Sequence, residues 1–490
     1  MMPLRPLSAA TAFVLLGLSI PLDAAEKADS PRWSGRVQTA LDATLPLKFP
    51  RGDRLPLYLW PAGNPGRLDD AAAEELVGLL DQRGVGLISS WSPSRQEDSL
   101  AQALVVARAQ AKRGLSVNVN ATACLHRFFN GDEGTAHVDA QGRPFWDESF
   151  NVHSKHFMGC PFALEHRKDP IRRQVESFAE AYRGAGLPVD FIFADWEIDG
   201  PIEFNRAHEA STKCERCRKK FQDIDNFLEF QQVLRTIRSE LQRYAFTDPI
   251  LARFPKALVG NYAVYPNNGF RYWYDYFETY VDGQPHLADR GAKYRHWANE
   301  FAGTGYTFAM PVVYTWYPTY NWYDFDDSDY RWFYNMLLVA GNAGRHTPAG
   351  TPIISFVHWH TTAPPKEADP SVKQMSPQAY QELLWHMLLR GTDTFFLWCP
   401  KDEDAEECRL VHEVYAAAQQ YGDFLDNGVP VTFEVPKQPA AVVSGILLGD
   451  RVLVRRTDFG GSTGAVELRI GKNKLSIESQ PGKCQVLSLP

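Results

Sequence analysis

The sequence predicts an α/β protein: a (β/α)8 barrel of the TIM type followed by a small C-terminal β-sandwich. Eight short runs of β-branched and aromatic residues recur along the chain, and helix-like stretches separate them. The pattern changes at Asn427 to short alternating strands punctuated by Gly and Pro, without a helical signal. We therefore expect three parts: an export signal at 1–24, the barrel at 25–426 and the sandwich at 427–490.

The barrel prediction depends on the order of its elements. The predicted strands are 55–60, 85–91, 115–121, 189–197, 257–265, 306–314, 352–360 and 392–398. The predicted helices between them are 69–81, 98–113, 169–184, 214–244, 270–278 with 287–303, 329–343 and 376–389. Such a barrel places its active site in the loops at the carboxyl ends of the strands. An open doubly wound sheet is the alternative, but no Gly-rich nucleotide-binding motif follows any strand.

Composition excludes several classes of protein. The 490 residues are 44% hydrophobic and 22% charged, which is too apolar for a disordered chain and unlike collagen or a small disulfide scaffold. The formal net charge of -8 lacks the basic excess that binds phosphate backbones, so we predict no nucleic-acid partner.

The first 24 residues have the pattern of a secretory signal. Arg5 supplies a positive charge, residues 12–18 form an apolar run, and small residues follow at 22–25. An uncleaved membrane anchor is the alternative, but the run is shorter than the ~20 residues that cross a bilayer. We expect a secreted or periplasmic protein without a membrane partner.

Seven cysteines lie after this segment, and an odd number leaves at least one unpaired. The spacing of Cys214 and Cys217 is that of half a zinc site. Because no second Cys-x-x-Cys occurs, the sequence favours a disulfide or free thiols. We predict no metal and no cofactor for the active site.

The strongest chemical signal is Asp195-Trp196-Glu197 at the end of the fourth predicted strand. Residues two apart in a strand point to the same face, so Asp195 and Glu197 project together where a barrel places its active site. Two close carboxylates titrate as a coupled pair, with one protonated while the other stays charged. This arrangement suits a general acid beside an electrostatic stabiliser; a structural salt-bridging pair is the alternative.

Ordinary glycosidases place two carboxylates on either side of the scissile bond. The predicted strands 306–314 and 352–360 end in aromatic and imidazole groups rather than acids. The single pair on one strand instead fits substrate assistance, in which the 2-acetamido oxygen of an N-acetylhexosamine attacks its own anomeric carbon. Glu197 would then protonate the leaving oxygen, and Asp195 would orient the acetamido group.

These residues resemble the hyaluronidase family of glycoside hydrolases. The resemblance covers roughly 189–398 and depends on four segments in the family's order: Asp195–Glu197, 261–266, 311–314 and 394–398. It implies that Glu197 is the acid/base, that Asp195 positions the acetamido group, that Tyr262 and Tyr314 are cleft hydroxyls and that Trp398 is a platform under the sugar. The chain departs from the family after Glu197, where Ile198-Asp199-Gly200 stands in place of Trp-Arg-Pro.

Aromatic residues add a second argument for a sugar substrate. Residues 315–327 alternate rings with amides and carboxylates, and flat rings pack against the apolar faces of pyranoses. The predicted substrate-binding residues are Tyr262, Tyr265, Tyr314, Trp316, His358 and Trp398. We expect a polysaccharide or oligosaccharide as the partner.

Three alternatives stay open. A second carboxylate from Asp147, Glu148, Asp199 or the acidic run 402–404 would allow cleavage of an acetamido-free glycan. A catalytically silent barrel could bind carbohydrate without cleaving it. His358 and His360 could hold a metal ion as part of a metal-dependent hydrolase.

Overall fold

The computed structural model describes residues 32–125, 132–146, 159–196, 207–268, 270–271, 280–281, 284–285, 295–296, 300–321, 323–362, 369–399 and 404–490. Residues Trp33–Pro490 form one compact unit. The predicted export signal, 1–24, lies outside the described residues. Within the described ranges, no helix combines the length and apolarity that crossing a bilayer requires.

The strands are short, as is usual for the core of an α/β protein. Up to residue 397 they are β1 Leu57–Leu59, β2 Val85–Gly86, β3 Ile88–Ser90, β4 Asn118–Asn120, β5 His137–Val138, β6 Pro144–Phe145, β7 Phe191–Ala194, β8 Leu258–Asn261, β9 Phe270–Arg271, β10 Tyr280–Val281, β11 Gln284–Pro285, β12 Arg295–His296, β13 Val312–Trp316, β14 Ile354–Thr362 and β15 Thr394–Leu397. The C-terminal strands are β16 Val429–Pro430, β17 Val442–Leu448, β18 Arg451–Thr457, β19 Val466–Ile470, β20 Asn473–Ile477 and β21 Cys484–Ser488.

Several helices start at residues suited to capping. The helices are α1 Gly35–Asp42, α2 Asp70–Asp81, α3 Gln96–Lys112, α4 Thr122–Leu125, α5 Leu164–Gly184, α6 Ala207–Thr212, α7 Glu215–Arg218, α8 Phe227–Gln242, α9 Asp248–Leu251, α10 Glu300–Thr304, α11 Tyr317–Tyr320, α12 Ser328–His346, α13 Pro377–Leu388, α14 Asp404–Ala418 and α15 Gly422–Asn427. Asp69, Asp327 and Ser376 each accept a backbone N–H from the first turn of the next helix, which satisfies a donor the helix cannot.

The parallel strands form two sheets. One has the order β13-β14-β15-β1-β2 and the other the order β3-β4-β7-β8. Leu87 alone separates β2 from β3 along the chain, and at the other side the Thr307 N–H donates to the Val259 carbonyl at 2.9 Å. The strands thus follow one another in chain order, as repeated βα units do. This confirms the predicted α/β class and its parallel strands.

Side chains alternate between two environments along these strands. One face contributes to a core shared by both sheets, which we call the inner core; it includes Tyr58, Phe193, Tyr314, Phe356 and Phe396. The other face packs against helices in two outer cores. The period of two in side-chain direction therefore tells which residues point inward.

The C-terminal strands are antiparallel. Strands β16, β17, β18 and β21 form one sheet, and β19 and β20 form another. Val452 and Val454 of the first share a core with Leu468 and Ile477 of the second. Two antiparallel sheets with a common core agree with an all-β C-terminal segment.

The element predictions were wrong in one region. A helix was expected at 270–278 and another at 287–303, but Phe270–Arg271 pairs antiparallel with Arg295–His296 and only Glu300–Thr304 is helical among the described residues there. Cross-strand pairing is a long-range interaction, and it overrides the helical propensity of these residues. The predicted helix 214–244 is divided into α7 and α8.

Candidate active site at the carboxyl ends of the parallel strands

Asp195 follows β7 on the inward side of the strand. Phe191 and Phe193 belong to the inner core, whereas Ile192 and Ala194 pack in an outer core. Asp195 continues the face of the two phenylalanines because it lies two residues after Phe193. The carboxylate therefore stands above the inner core, at the strand end predicted from the sequence.

The backbone around Asp195 is fixed by neighbouring strands. Its N–H donates to Thr122 Oγ1 at 2.8 Å, and the N–H of Thr122 donates to Asn120 Oδ1 at 2.9 Å. On the other side the Trp196 N–H donates to Asn261 Oδ1 at 2.9 Å. Side chains from β8 and from the residues at the end of β4 thus satisfy the N–H groups that a strand leaves when it ends.

A buried polar network continues outward from Asn261. Its Nδ2 donates to Gln242 Oε1 at 2.9 Å, and the same oxygen accepts the Tyr306 hydroxyl at 2.8 Å. Burial raises the pKa of Tyr306 well above its ordinary value, so that hydroxyl remains a donor. Such a satisfied network specifies one arrangement of the strand ends.

Arg238 and Glu300 form an ion pair beside this network. Their side chains are 3% and 4% exposed, and Arg238 Nη2 also donates to the Trp196 carbonyl at 3.2 Å. Because the pair is almost fully desolvated, each charge depends on the other. The pair connects α8 and α10 to the residue that follows Asp195.

Four inward residues in or directly after other parallel strands are rings: Tyr262 after β8, Tyr314 in β13, His358 in β14 and Trp398 after β15. Tyr314 stacks on Trp398 with centroids 5.1 Å apart and planes 17° apart. His358 meets the edge of Trp398 at 4.9 Å, and Tyr262 lies 6.4 Å from Tyr314. The Tyr262 N–H donates to the Ala194 carbonyl at 2.9 Å, which places Tyr262 beside Asp195. We call these four residues and Asp195 the end layer.

Ala263, immediately after Tyr262, has a left-handed backbone with φ of 58°. Residues other than glycine pay about 1–3 kcal/mol for sparsely populated backbone conformations, which cluster at functional sites. The strained turn lets Tyr262 face the inner core while Val264 packs in an outer core.

His358 is oriented by a carboxylate that the sequence analysis missed. Glu407 of α14 is fully buried, and its Oε1 lies 3.1 Å from His358 Nδ1 and accepts the Trp359 N–H. Its Oε2 is 4.0 Å from His360 Nε2. With Nδ1 engaged, Nε2 is the nitrogen of His358 available to a ligand. No sequence spacing links Glu407 to His358, because they are 49 residues apart.

The remaining predicted site residues have different outcomes. Trp316 belongs to the inner core, one inward position beyond Tyr314, whereas Tyr265 is buried in an outer core and does not join the end layer. Glu197 lies outside the described residues, as do Asp147, Glu148, Asp199 and residues 402–403.

A cleft of about 520 Å³ reaches the inner core at Phe396 and is lined in part by Trp60, Ser90, Asn120 and Arg95. Trp60 follows β1 and meets Phe193 and Phe396 of the inner core, with ring centroids 6.1 and 6.0 Å away. Trp60 and Asn120 were not among the predicted binding residues, although each lies at the end of a predicted strand. Their position near the carboxyl end of a predicted strand is the feature from which they could have been predicted.

Two groups of side chains in the described part of the chain could hold a metal ion. One is His358, Cys399 and Glu407 at the end layer, and the other is His137, Cys160, Cys214 and Cys217. All seven cysteines lie among the described residues, and none of them forms a disulfide there.

No protein-family model and no curated protein matches this chain. Among solved structures it is similar to α-L-fucosidase isoenzyme 2 from Paenibacillus thiaminolyticus, with 15% identity, a TM-score of 0.43 and coverage of 74% of this chain and 48% of that one. A β-galactosidase from Halorubrum lacusprofundi gives 12% identity, a TM-score of 0.44 and coverage of 76% and 59%. A variant of the GH36 α-galactosidase AgaA from Geobacillus stearothermophilus gives 11%, 0.39, and 92% and 58%. The chain thus spans about half to three fifths of the length of these proteins.

Proposed function

We propose that this chain is an exported glycoside hydrolase that cleaves a glycan at an N-acetylhexosamine by substrate-assisted acid/base catalysis, as hyaluronidases do. The observation that carries the proposal is the position of Asp195, inward-facing at the end of β7 and beside the rings of the end layer. Glu197, two residues further along the chain, would supply the general acid.

The rings support a sugar as the substrate. A flat ring presents an apolar face that packs against pyranose C–H groups, and Trp398 with Tyr314 forms a stacked platform of this kind. His358 and Tyr262 add polar groups at the same level. A few placed polar groups among rings are typical of small-molecule and sugar sites.

The absence of acids at neighbouring strand ends supports substrate assistance. The inward residues Tyr262 after β8, Tyr314 and Trp316 in β13, His358 in β14 and Trp398 after β15 include no carboxylate. Glu407 is fully buried and its Oε1 contacts His358 Nδ1 and accepts the Trp359 N–H, so we assign it a positioning role. A nucleophile from the substrate removes the need for one from these strands.

In the proposed reaction, Glu197 donates its proton to the glycosidic oxygen as the bond to the anomeric carbon breaks. The acetamido oxygen attacks that carbon, and Asp195 stabilises the positive charge on the acetamido nitrogen. Glu197, now a base, removes a proton from the water that reopens the intermediate. The products are two sugar chains, and Glu197 regains its proton.

The proposal extends to architecture and location. The two parallel sheets form one closed (β/α)8 barrel, and the links Leu87 and Thr307–Val259 support this closure. The C-terminal sheets form a β-sandwich at 427–490. Residues 1–24 direct export and are then removed. N-terminal sequencing of the protein recovered from the periplasm or medium tests that cleavage.

The test is product release from hyaluronan, chondroitin, chitin oligomers and acetamido-free glycans. We expect turnover only of N-acetylated substrates, and a loss of about 10²–10⁴-fold in kcat for Glu197→Gln. Asp195→Asn should also lose most turnover. Asp190→Asn is the matched control: it changes an aspartate at the opposite end of β7, whose carboxylate accepts the Val117 N–H at 2.9 Å. Its kcat should stay within about two-fold of wild type, because active sites lie at the carboxyl ends of strands.

Each contrary result overturns a definite part of the proposal. Glu197-dependent cleavage of an acetamido-free glycan would remove substrate assistance and point to a second carboxylate. Full turnover by Glu197→Gln would remove the assigned acid. Tight binding of a glycan without any cleavage by the wild type would make the chain a binding module.

A further inference from the structure

Four metal-ligand side chains meet outside the end layer. His137 of β5 and Cys160 belong to the segment between β4 and α5, whereas Cys214 and Cys217 belong to the segment between β7 and α8. All four are buried, and one donor atom from each lies within 4.8 Å of the donor atoms of the others. A cluster assembled from two separate segments requires a cause beyond the apolar character of cysteine.

The sulfur–sulfur distances identify the kind of interaction. Cys160 Sγ is 3.5 Å from Cys217 Sγ and 3.9 Å from Cys214 Sγ. Two thiolates that each lie about 2.3 Å from one tetrahedral zinc ion are about 3.8 Å apart. A disulfide requires about 2.0 Å. The observed separations are those of a shared ion.

His137 completes the set of donors. Its side chain is 0% exposed, and neither imidazole nitrogen has a hydrogen-bond partner among the described residues outside this cluster. A buried imidazole without a partner is costly unless something else satisfies it. Its ring stacks on Phe145 with centroids 5.1 Å apart, which fixes its orientation. Three thiols and one imidazole are a known ligand set for structural zinc.

The surrounding backbone holds the ligands in place. The Val138 N–H points to Cys214 Sγ at 3.5 Å, a contact that stabilises a thiolate. The Cys160 N–H donates to the Thr135 carbonyl at 2.8 Å. A Cβ on the preceding residue, Gly159, would lie 1.9 Å from that carbonyl oxygen, so only glycine allows this approach. Arg216 Nη1 donates to the Gly134 carbonyl at 2.9 Å and so joins the two segments.

We propose that His137, Cys160, Cys214 and Cys217 bind one zinc ion, and that this ion is structural. All four positions of a tetrahedron are occupied by protein, which leaves no position for water or substrate. The ion cross-links the segments that follow β4 and β7, two neighbouring strands. The second of these segments begins at Asp195, so the ion would link the chain that leaves the candidate site to the segment that follows β4. The inference does not depend on the proposed function.

The sequence pointed to only half of this site. Cys214-x-x-Cys217 is the recognisable part, and the lack of a second Cys-x-x-Cys favoured a disulfide or free thiols. Cys160 lies 54 residues before Cys214, at a spacing that belongs to no short motif. The fold, rather than the spacing, supplies the other two ligands.

The test is the metal content of the full-length protein purified without chelator. We expect about one zinc per chain in the wild type, and less than about one fifth of this in Cys217→Ser and His137→Ala, since a ligand is lost. His137→Cys should retain the metal, because sites made of four cysteines also bind zinc. Cys399→Ser is the matched control, a buried cysteine of the other possible metal group. It should keep its zinc.

Cobalt replacement is the second measurement, and it needs no variant. Wild-type protein produced with Co²⁺ should show thiolate-to-cobalt charge transfer and the strong visible bands of a tetrahedral ion. These bands decide the matter if Cys217→Ser does not fold. Wild-type protein that takes up neither zinc nor cobalt, or that shows a disulfide among these cysteines by thiol titration, would overturn the proposal. So would zinc that is lost in Cys399→Ser and kept in Cys217→Ser.

Discussion

The two parallel sheets carry different parts of the end layer and are supported in different ways. The four-stranded sheet β3-β4-β7-β8 carries Asp195. The buried Arg238–Glu300 pair stabilises the adjacent backbone, because Arg238 donates to the Trp196 carbonyl. The five-stranded sheet carries Tyr314 and His358 on β13 and β14, and Trp398 directly after β15. The first sheet therefore places the carboxylate and one ring, Tyr262, and the second places the other three rings of the end layer.

The support of the five-stranded sheet comes from the C-terminal strands. Arg390, just after α13, donates to the carbonyls of Phe433 and Glu434 at 2.7 and 2.9 Å. Glu382 of α13 pairs with Arg455 of β18 at 2.6 Å. The strands that carry these rings therefore gain contacts from the C-terminal segment in addition to the His358–Glu407 contact, whereas the backbone at Asp195 depends on a few buried polar contacts. We therefore expect single substitutions to reduce stability and turnover most when they remove a buried polar contact near Asp195.

The largest effect should follow the loss of one charge of the buried pair. Glu300→Gln leaves Arg238 buried without its partner, which costs about 3–5 kcal/mol of unfolding free energy. It should also lower kcat, because Arg238 holds the Trp196 carbonyl next to Asp195. Urea denaturation followed by circular dichroism measures the first effect, and steady-state hydrolysis measures the second.

Asp248→Asn provides the matched control for this pair. Asp248 and Arg243 also form an ion pair, at 3.5 Å, but their side chains are 48% and 59% exposed. Exposed pairs are worth about 0–1 kcal/mol, so this variant should stay within that range. Equal losses in the two variants would show that burial does not distinguish the pairs, and the comparison between the sheets would fail.

The same contrast explains what could be predicted from sequence. Alternation along a short strand predicts that Asp195 points inward after the fourth predicted strand, and the inner-core and outer-core residues of β7 follow that alternation, because side-chain direction in a strand has a fixed period. The eight predicted strands overlap the observed parallel strands, because β-branched and aromatic residues are enriched in strands.

What the sequence could not supply depends on contacts between distant residues. Glu407 orients His358 across 49 residues, and β9 pairs with β12 where helices were expected. Tyr265 lies three residues after Tyr262, but the left-handed turn at Ala263 separates their directions and buries Tyr265 among helices. A single backbone conformation of this kind leaves no periodic signal.

A smaller effect is expected from a substitution among the rings of the end layer. Trp398→Ala removes the platform that stacks on Tyr314, and kcat/KM should fall about tenfold or more, which equals ~1.4 kcal/mol or more of transition-state binding. The unfolding free energy should change less than in Glu300→Gln, because Trp398 is only partly buried. Initial rates over a range of substrate concentrations separate kcat from KM.

Trp398→Phe is the control for this substitution, since it keeps a flat ring at the same position. It should recover most of the lost kcat/KM. If Trp398→Phe is as impaired as Trp398→Ala, the indole does something other than provide an apolar face. If both variants act like the wild type, the rings do not bind the substrate.

The smallest effect we expect is a pH dependence of the unfolding free energy that is caused by His386 of α13. Burial, with the positive charges of Arg390 and Arg455, lowers the pKa of His386 well below its ordinary value. His386 Nε2 lies 3.0 Å from Thr457 Oγ1, and that hydroxyl donates to Glu382 Oε2 at 2.6 Å. The Thr457 oxygen therefore accepts from Nε2. Nδ1 lies 2.8 Å from the Ser444 hydroxyl, whose oxygen accepts from Arg390 Nε, so that hydroxyl can donate its proton to Nδ1 of a neutral imidazole.

The direction of the pH effect follows from this neutral state. The unfolded chain takes up a proton on His386 below about pH 6.5, whereas the folded chain does not. Stability is then complete above that pH and falls by up to about 1.4 kcal/mol per pH unit below it. His386→Gln removes this dependence, so the difference in unfolding free energy between wild type and variant should shrink as the pH falls from about 7.5 to about 5.5.

His412→Gln tests whether this dependence belongs to the contact with the C-terminal strands. Burial also lowers the pKa of His412, but the bond of its Nε2 to the Arg83 carbonyl at 3.0 Å acts in the opposite direction. Its removal should therefore flatten the pH dependence less than His386→Gln does. Urea unfolding at about pH 7.5, 6.5 and 5.5 compares the three proteins. If both variants reduce the pH dependence of the unfolding free energy equally, burial alone causes that dependence. The contact of His386 with Thr457 would then not distinguish the five-stranded sheet from the four-stranded one.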